Sequence, residues 1–371
     1  MFVINSGEWL LVIAIVVWSA CTGLVPAGAD AGVGVLIALR VLLGLAEGLA
    51  LPAIHSMVSS YVPEQERSTA ASVITAACYV GALFSNLVTP TLIQRNGWES
   101  SFYTFAALPV VWLPLWLNYI SSSNNNEITV DLQSIELNGV VTNETSIKEL
   151  LSLRSVWAIM LAQYGQGVGN IGLLSWLPTY YSENFNVPLS NLARFTALPY
   201  FLQMSIAVIA GKLADYMIVN NVFKTKLSVR NLFQVGGSFL PAIFLLFCVY
   251  GLPEGDLDAT SAERLITLGS ASSALTVASV SCNHFDISPK NAGTIFGFGN
   301  TVSCVGGLLA VPATGYIYDN THSWDLVFAL FAFHYLFFGG FAWLFLASAD
   351  NIDDDLASFR AVKRSNREKN K

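Results

Sequence analysis

Long apolar runs, broken by short polar segments, dominate the chain. Ten of these runs are long enough to cross about 30 Å of hydrocarbon as a helix. They lie near 8–28, 33–59, 69–93, 101–120, 155–181, 192–217, 230–252, 260–283, 291–317 and 324–348. The run at 260–283 is the least apolar, being rich in Ser, Thr and Ala. One long polar segment, 121–153, separates a group of four runs from a group of six. It carries Ser121 to Asn126, an excess of acidic over basic residues and few aromatics, the composition of a mobile linker. The pattern predicts a partial N-terminal bundle of four spans over 1–120 and a cytoplasmic linker over 121–153. A six-helix bundle over 154–348 and a basic cytoplasmic tail over 349–371 follow. The first twenty residues lack a basic start and a small-residue cleavage site, so Glu8 to about Pro26 reads as a true span.

Composition sharpens this reading. The chain has 371 residues, 54% of them hydrophobic and 12% charged. Soluble domains carry about 25% charged residues, so the predicted fold class is an all-α, polytopic helical membrane protein. A net charge of −7 says little about partners in such a chain. No basic groove with interleaved aromatics is present, which argues against nucleic acid. Cys21, Cys78, Cys248, Cys282 and Cys304 are scattered through apolar stretches without metal or disulfide spacing. Lysines and arginines give the orientation. With the N-terminus inside, fourteen of the eighteen fall on the inner side and three (Arg95, Arg194, Arg264) outside. This asymmetry fits ten spans with both ends inside. The remaining cation, Arg40, lies within a span.

Arg40 and Glu47 are seven residues apart in the second run, nearly two helical turns, so they share one face. An arginine at the centre of a membrane helix costs about 2.5–3.5 kcal/mol on insertion scales. It is therefore expected to face protein or a water-filled cavity. Two roles follow: an anion site with Glu47 as partner or proton carrier, or an ion pair that only joins helices. Gly44 and Gly48 form a small-residue face beside Glu47 that suits close helix approach. Gln163, Gln166 and Asn170 recur at i, i+3 and i+7 and form a polar stripe lining either a cavity or a helix seam. Asn300 holds a similar place in the ninth run. The Gly and Pro residues from Gly306 to Gly315 suggest either a helix bent at mid-membrane or ordinary membrane-helix composition. His284 and Asp286 fall in a short cytoplasmic connection, where gating or capping is expected. The sequon at Asn143 lies in the inner linker, where glycosylation is not expected. No nucleophile–base set, metal cluster or phosphate loop is found, so the chain does not read as an enzyme.

Together these residues resemble a known family. The stretch from Arg40 through Glu47-Gly48 to Pro52-Ala53, followed by Val62 to Ser68, resembles the fourth span and next loop of the anion:cation symporters. These belong to the major facilitator superfamily. Trp18-Ser19, Gly97-Trp98, Phe102-Tyr103, Trp176 to Tyr181, Ala197 to Tyr200, Gly211 to Asp215, Asn283 to Pro289, and Asn300 with Gly307 match further family stretches in order. The wording is most similar to plant and algal plastid-type phosphate transporters; vesicular glutamate and sialic acid carriers are related. The resemblance implies twelve spans in two halves, so these ten spans would lack the first two and begin within the family's second loop. It implies that Arg40 binds the anion and Glu47 couples to protonation. Beside these two, Gln166, Asn170 and Asn300 are expected about the substrate, and Gly211, Asp215 and Asp286 in gating or structure. Glutamate carriers of the family have a second cation near the position of Gln166, and this chain has none nearby. One Arg with amides suits a small anion such as inorganic phosphate over a dicarboxylate. The expected partners are a small inorganic or organic anion and the lipid bilayer. No cofactor is called for beyond Na⁺ or H⁺ as coupling ion. The expected location is a plastid, vacuolar or plasma membrane. The alternatives are an organic anion carrier and a non-transporting membrane protein.

Overall fold

A computed structural model describes residues 6–135, 145–251 and 257–353. Among them the regular elements are all helical. Helix α1 (Ser6–Gly23) turns by 49° into α2 (Val25–Ala31). Pro26 lies in the first turn of α2, where its missing N–H costs nothing. Then come α3 (Val33–Tyr61), α4 (Arg67–Asn96), α5 (Glu99–Ile135) and the short α6 (Ile147–Leu150). Helices α7 (Arg154–Gln166) and α8 (Gly172–Phe185) are joined by a π-turn, Gly167–Ile171. Next are α9 (Leu189–Val219), α10 (Lys226–Tyr250) and α11 (Ala259–Ser273). A 3₁₀ segment, Ala274–Ala278, leads from α11 to α12 (Val280–Ile287), and α13 (Ala292–Thr321) follows. Finally α14 (Trp324–His334) passes through a second π-turn, Tyr335–Phe341, into α15 (Ala342–Leu346).

Eight helices among the described residues are long and apolar enough to span a membrane, and the bent α1–α2 pair makes nine. The remaining predicted run, the fifth, is helical throughout from Arg154 to Phe185, its π-turn dividing 13 residues from 14. Three features bear on the expected organisation. Helix α5 continues to Ile135, so the first part of the expected linker is helical. Ser121 to Ile135 contains no Gly or Pro to stop a helix that is already running. Asn143 and the basic residues of the tail from Arg360 lie outside the described residues. Second, α13 runs unbroken through Gly306, Gly307 and Pro312, in line with the second of the two readings of that stretch; the interruptions fall in other spans. Third, contacts divide the chain into Met1–Met57 with Val88–Ser146, and Val58–Leu87 with Ile147–Lys371. The end of α3 and most of α4 thus group with the C-terminal helices, not with the predicted 1–120 bundle.

In the first unit, Leu11 and Ile15 of α1 are buried with Ala50 of α3, flanked by Trp18, Ile54, Leu113 and Trp116. In the second unit, α13 presents Gly299, Ser303, Gly306, Gly307 and Ala310 to the α7–α8 span. The backbones nearly touch. A Cβ on Gly167 would stand 2.1 Å from the Ser303 carbonyl oxygen, and one on Gly306 would stand 2.9 Å from the Tyr164 carbonyl oxygen. Gly306 and Gly307 therefore serve close packing, the small-residue route to helix association in lipid. Gly167→Ala is expected to destabilise the fold by about 1–3 kcal/mol, since overpacking against backbone has no easy relief. Gly44→Ala is the contrast. Nothing lies within 4 Å of a Cβ there, and alanine gains about 0.5–1 kcal/mol over glycine in a helix. Thermal unfolding of both variants in detergent checks the opposite signs.

Candidate functional site

In the first unit, Arg40 lies in the first third of α3 and Glu47 at its midpoint, each exposed on that helix. The Arg40 guanidinium lies over the Phe102 ring, 5.6 Å from its centroid, a cation–π contact. Glu47 lies within electrostatic reach of Arg40. Gly44 and Gly48 continue the same face, and a Cβ on either would meet nothing within 4 Å. Among the described residues the expected close helix approach on these glycines is thus not made. The face instead leaves room beside a charged pair.

In the second unit, the polar stripe of α7 is divided among three neighbours. Gln163 is buried against Gly299 of α13. Gln166 donates from Nε2 to the Gly237 carbonyl of α10 at 3.2 Å. Asn170, within the π-turn, accepts from Gln203 Nε2 of α9 at 2.9 Å. The π-turn adds a residue to the helix and swings Asn170 away from the face a regular helix would give it. Asn300 is half-buried on α13. The structure thus keeps Arg40 with Glu47 in one unit and Gln166, Asn170 and Asn300 in the other.

The remaining predicted residues form one cluster within the second unit. Asp215, near the end of α9, accepts from the backbone N–H groups of Ser68 (3.1 Å) and Thr69 (2.6 Å). These belong to the first turn of α4, whose unpaired N–H groups attract a carboxylate. Gly211, one turn earlier, lets the helices meet: a Cβ there would stand 2.2 Å from Ser72 Oγ and 2.6 Å from the Ser68 carbonyl oxygen. Asp286 is not in an open connection as the sequence suggested. It lies in α12, 6% exposed, because Arg230 of α10 holds it there. Arg230 donates from Nε to Asp286 Oδ2 at 2.7 Å and from Nη2 to Oδ1 at 3.2 Å. Its Nη1 donates to Ser68 Oγ (2.8 Å) and to the Ala278 carbonyl (2.7 Å). The cluster therefore runs from Asp215 through Ser68 and Arg230 to Asp286.

Sequence reasoning missed Arg230, which was counted among the loop charges. The signal was present: Arg230, Gln234 and Ser238 recur every four residues along α10 and are all buried. Around the cluster, Arg67 caps the end of α3 by donating to the Ser59 (2.9 Å) and Val62 (3.3 Å) carbonyls. Lys226 pairs with Glu64. A cavity of about 670 Å³ opens here, bounded by Glu64, Arg67, Lys226, Asp286 and Asp350. Its mixed charge marks no single ligand.

These features define a multi-pass helical membrane protein with a charged pair inside one span and a charged clasp at the helix ends. The chain belongs to the Major Facilitator Superfamily, which it matches over residues 6–311. A rice protein (Oryza sativa subsp. japonica) named "Probable anion transporter 5, chloroplastic" is 32% identical over 369 residues, 92% of this chain and 76% of that one. The chloroplastic ascorbate transporter of Arabidopsis thaliana is 31% identical over 359 residues, 94% of this chain and 64% of that one. The chloroplastic sodium-dependent phosphate transport protein 1 of Arabidopsis thaliana is 30% identical over 359 residues, 94% of this chain and 68% of that one. The share of a plant relative's own length that the chain spans falls to 54%. Among solved structures, the proton:xylose symporter XylE superposes with a TM-score of 0.68 at 15% identity, covering 95% of this chain and 83% of that one. That likeness is one of fold.

Proposed function

We propose that the chain is a secondary active carrier of a small anion, inorganic phosphate first, driven by a Na⁺ or H⁺ gradient. One observation carries the reading. A guanidinium stands inside a membrane span, with an acidic partner two turns away and open space on the face between them. A charge kept at that depth is a functional group by default. In an alternating-access cycle, Arg40 takes the anion's charge, and the amides of Gln166, Asn170 and Asn300 are the groups of the second unit suited to an anion's oxygens. Glu47 gains or releases a proton as its surroundings change, which strengthens or weakens its hold on Arg40. Gly211, Asp215 and Asp286 serve the gate. The plant relatives named as anion and phosphate transporters support the anion class, and their chloroplastic names support a plastid membrane. The name of the ascorbate relative favours a second reading, an organic anion.

The test is uptake of labelled phosphate and of labelled ascorbate into proteoliposomes, with Na⁺ and H⁺ gradients imposed separately. Phosphate uptake that needs a gradient and is abolished by Arg40→Ala is expected. Uptake unchanged in Arg40→Ala sinks the anion assignment. A pH profile unchanged in Glu47→Gln sinks the coupling role. Ascorbate uptake without phosphate uptake selects the second reading. No uptake by folded protein favours a chain that does not transport on its own.

A further inference from the structure

Beyond α15 the chain leaves helical geometry at Ala347 (φ −70°, ψ 145°) and crosses to the junction of α12 and α13. Residues 347–353 meet that junction at three points. The Ser348 carbonyl accepts from Asn283 Nδ2 of α12 at 2.7 Å. The Ile352 N–H donates to the carbonyl of Ile287, the last residue of α12, at 2.8 Å. The Asp353 carboxylate accepts from Ser288 Oγ at 2.5 Å and from the Lys290 N–H at 3.2 Å. A helix end leaves carbonyls unpaired, and a helix start leaves N–H groups unpaired. One segment thus caps the end of α12 and the 3₁₀ turn Pro289–Asn291 that leads into α13. Resting on the gating role proposed above for Asp286, we infer that residues 347–353 are a latch that holds α12, the helix carrying Asp286.

α12 depends on such support. It has eight residues, too few for a stable isolated helix. The backbone is non-helical on both sides of it, at Ser279 (φ −119°, ψ −94°) and at Ser288 (φ −155°, ψ 83°). It is a short rigid piece between two breaks, so contacts from elsewhere set its position. Arg230 of α10 holds it at Asp286. Residues 347–353 hold it at Asn283, Ile287 and Ser288. Ser59 Oγ, near the end of α3, donates to the Pro289 carbonyl of the next turn at 2.6 Å. Asp286 and Ile287 are adjacent, so α12 cannot move from Arg230 as a rigid piece without pulling on the Ile352 and Asp353 bonds. Of these supports the segment is the one suited to let go. Asp350 and Asn351 are exposed, and its internal bonds are local, Ser348 with Asp350 and Asn351 with Asp353. Short exposed segments of this kind open before the packed helices do. Asp350 and Asn351 also line the cavity beside Asp286, so the latch is one of its walls.

Cys282 gives the readout. It lies in α12, fully buried, with Sγ 3.1 Å from the Val277 carbonyl, so a thiol reagent reaches it when α12 opens. The test is the rate of N-ethylmaleimide labelling of Cys282 in the purified 371-residue chain in detergent, read on its own peptide by mass spectrometry. Asp353→Ala is expected to raise the rate by about tenfold or more, since hydrogen bonds to a charged acceptor are the strong ones. Ser288→Ala is expected to raise it in the same direction and decides the matter if Asp353→Ala does not fold. The double variant is expected to label about as fast as Asp353→Ala, because both changes act on one contact. Asn320→Ala, exposed at the far end of α13, is expected to label as wild type does. Wild-type rates in Asp353→Ala and Ser288→Ala overturn the latch. So does a matching rise in hydrogen exchange over α8 (Gly172–Phe185), which assigns the effect to general loosening. Labelling needs neither anion nor gradient, so it stands apart from the carrier reading. Faster labelling with unchanged phosphate uptake rejects the gating role of Asp286 and leaves the latch in place.

Discussion

Arg230→Met is expected to cost about 3–5 kcal/mol of stability, the range for breaking a buried ion pair from one side. The side chain is only 2% exposed. Its guanidinium makes four hydrogen bonds, two of them to the Asp286 carboxylate. Methionine matches much of the volume but leaves Asp286 as a buried charge without its counter-ion. It also frees the Ala278 carbonyl, at the end of the 3₁₀ segment that leads to α12. Adding Asp286→Asn to Arg230→Met is expected to recover much of the loss, because no uncompensated charge then remains. Thermal unfolding of the four proteins in one detergent gives the cycle. A loss of less than about 1 kcal/mol in Arg230→Met would fall in the range of a surface salt bridge and contradict the buried-pair account.

The same pair marks where sequence reading stops. The ten spans were legible because each must be apolar over a fixed length. Arg40 and Glu47 stood out as candidates because a charge within a span has few excuses. Gly211 and Asp215 were legible as a one-turn spacing shared with a family pattern. Arg230 and Asp286, by contrast, are 56 positions apart. No local periodicity joins them, and Arg230 stands close enough to a helix start to pass for a loop charge. The run at 260–283 misled in the opposite sense. It read as the weakest span, being rich in Ser, Thr and Ala, yet 78% of its apolar window is buried inside the protein, the largest share among the described spans. Hydropathy measures suitability for lipid, and this span faces other helices, so Ser, Thr and Ala serve it well. The division of the α7 stripe was illegible for a geometric reason. A π-turn breaks the 3.6-residue register on which the i, i+3, i+7 argument depends.

Asp215→Asn is expected to speed hydrogen exchange at the first turn of α4 by about tenfold or more, at nearly constant side-chain volume. The carboxylate accepts two backbone N–H bonds there, from Ser68 and Thr69. Hydrogen bonds to a charged acceptor are worth about 1.5–3 kcal/mol each, against about 1 for neutral ones. The amide also loses the favourable charge at a helix N-terminus, about 0.3–1 kcal/mol. Each 1.4 kcal/mol is a factor of ten in the open population, so the predicted change is conservative. Gly211→Ala is expected to act in the same direction by a different route. Its Cβ would overlap Ser72 Oγ at 2.2 Å and the Ser68 carbonyl at 2.6 Å, and would push the two helices apart. Exchange over Glu64–Ala76, read by mass spectrometry, separates this from general loosening, because the peptides of α7 and α13 should keep their wild-type rates. Unchanged protection of α4 in both variants would show that the contact holds nothing. If protection falls as expected, the gating role gains a mechanism. On the proposed gating role, the contact that caps α4 breaks and reforms in each cycle, and weakening it is expected to lower the occupancy of the closed state.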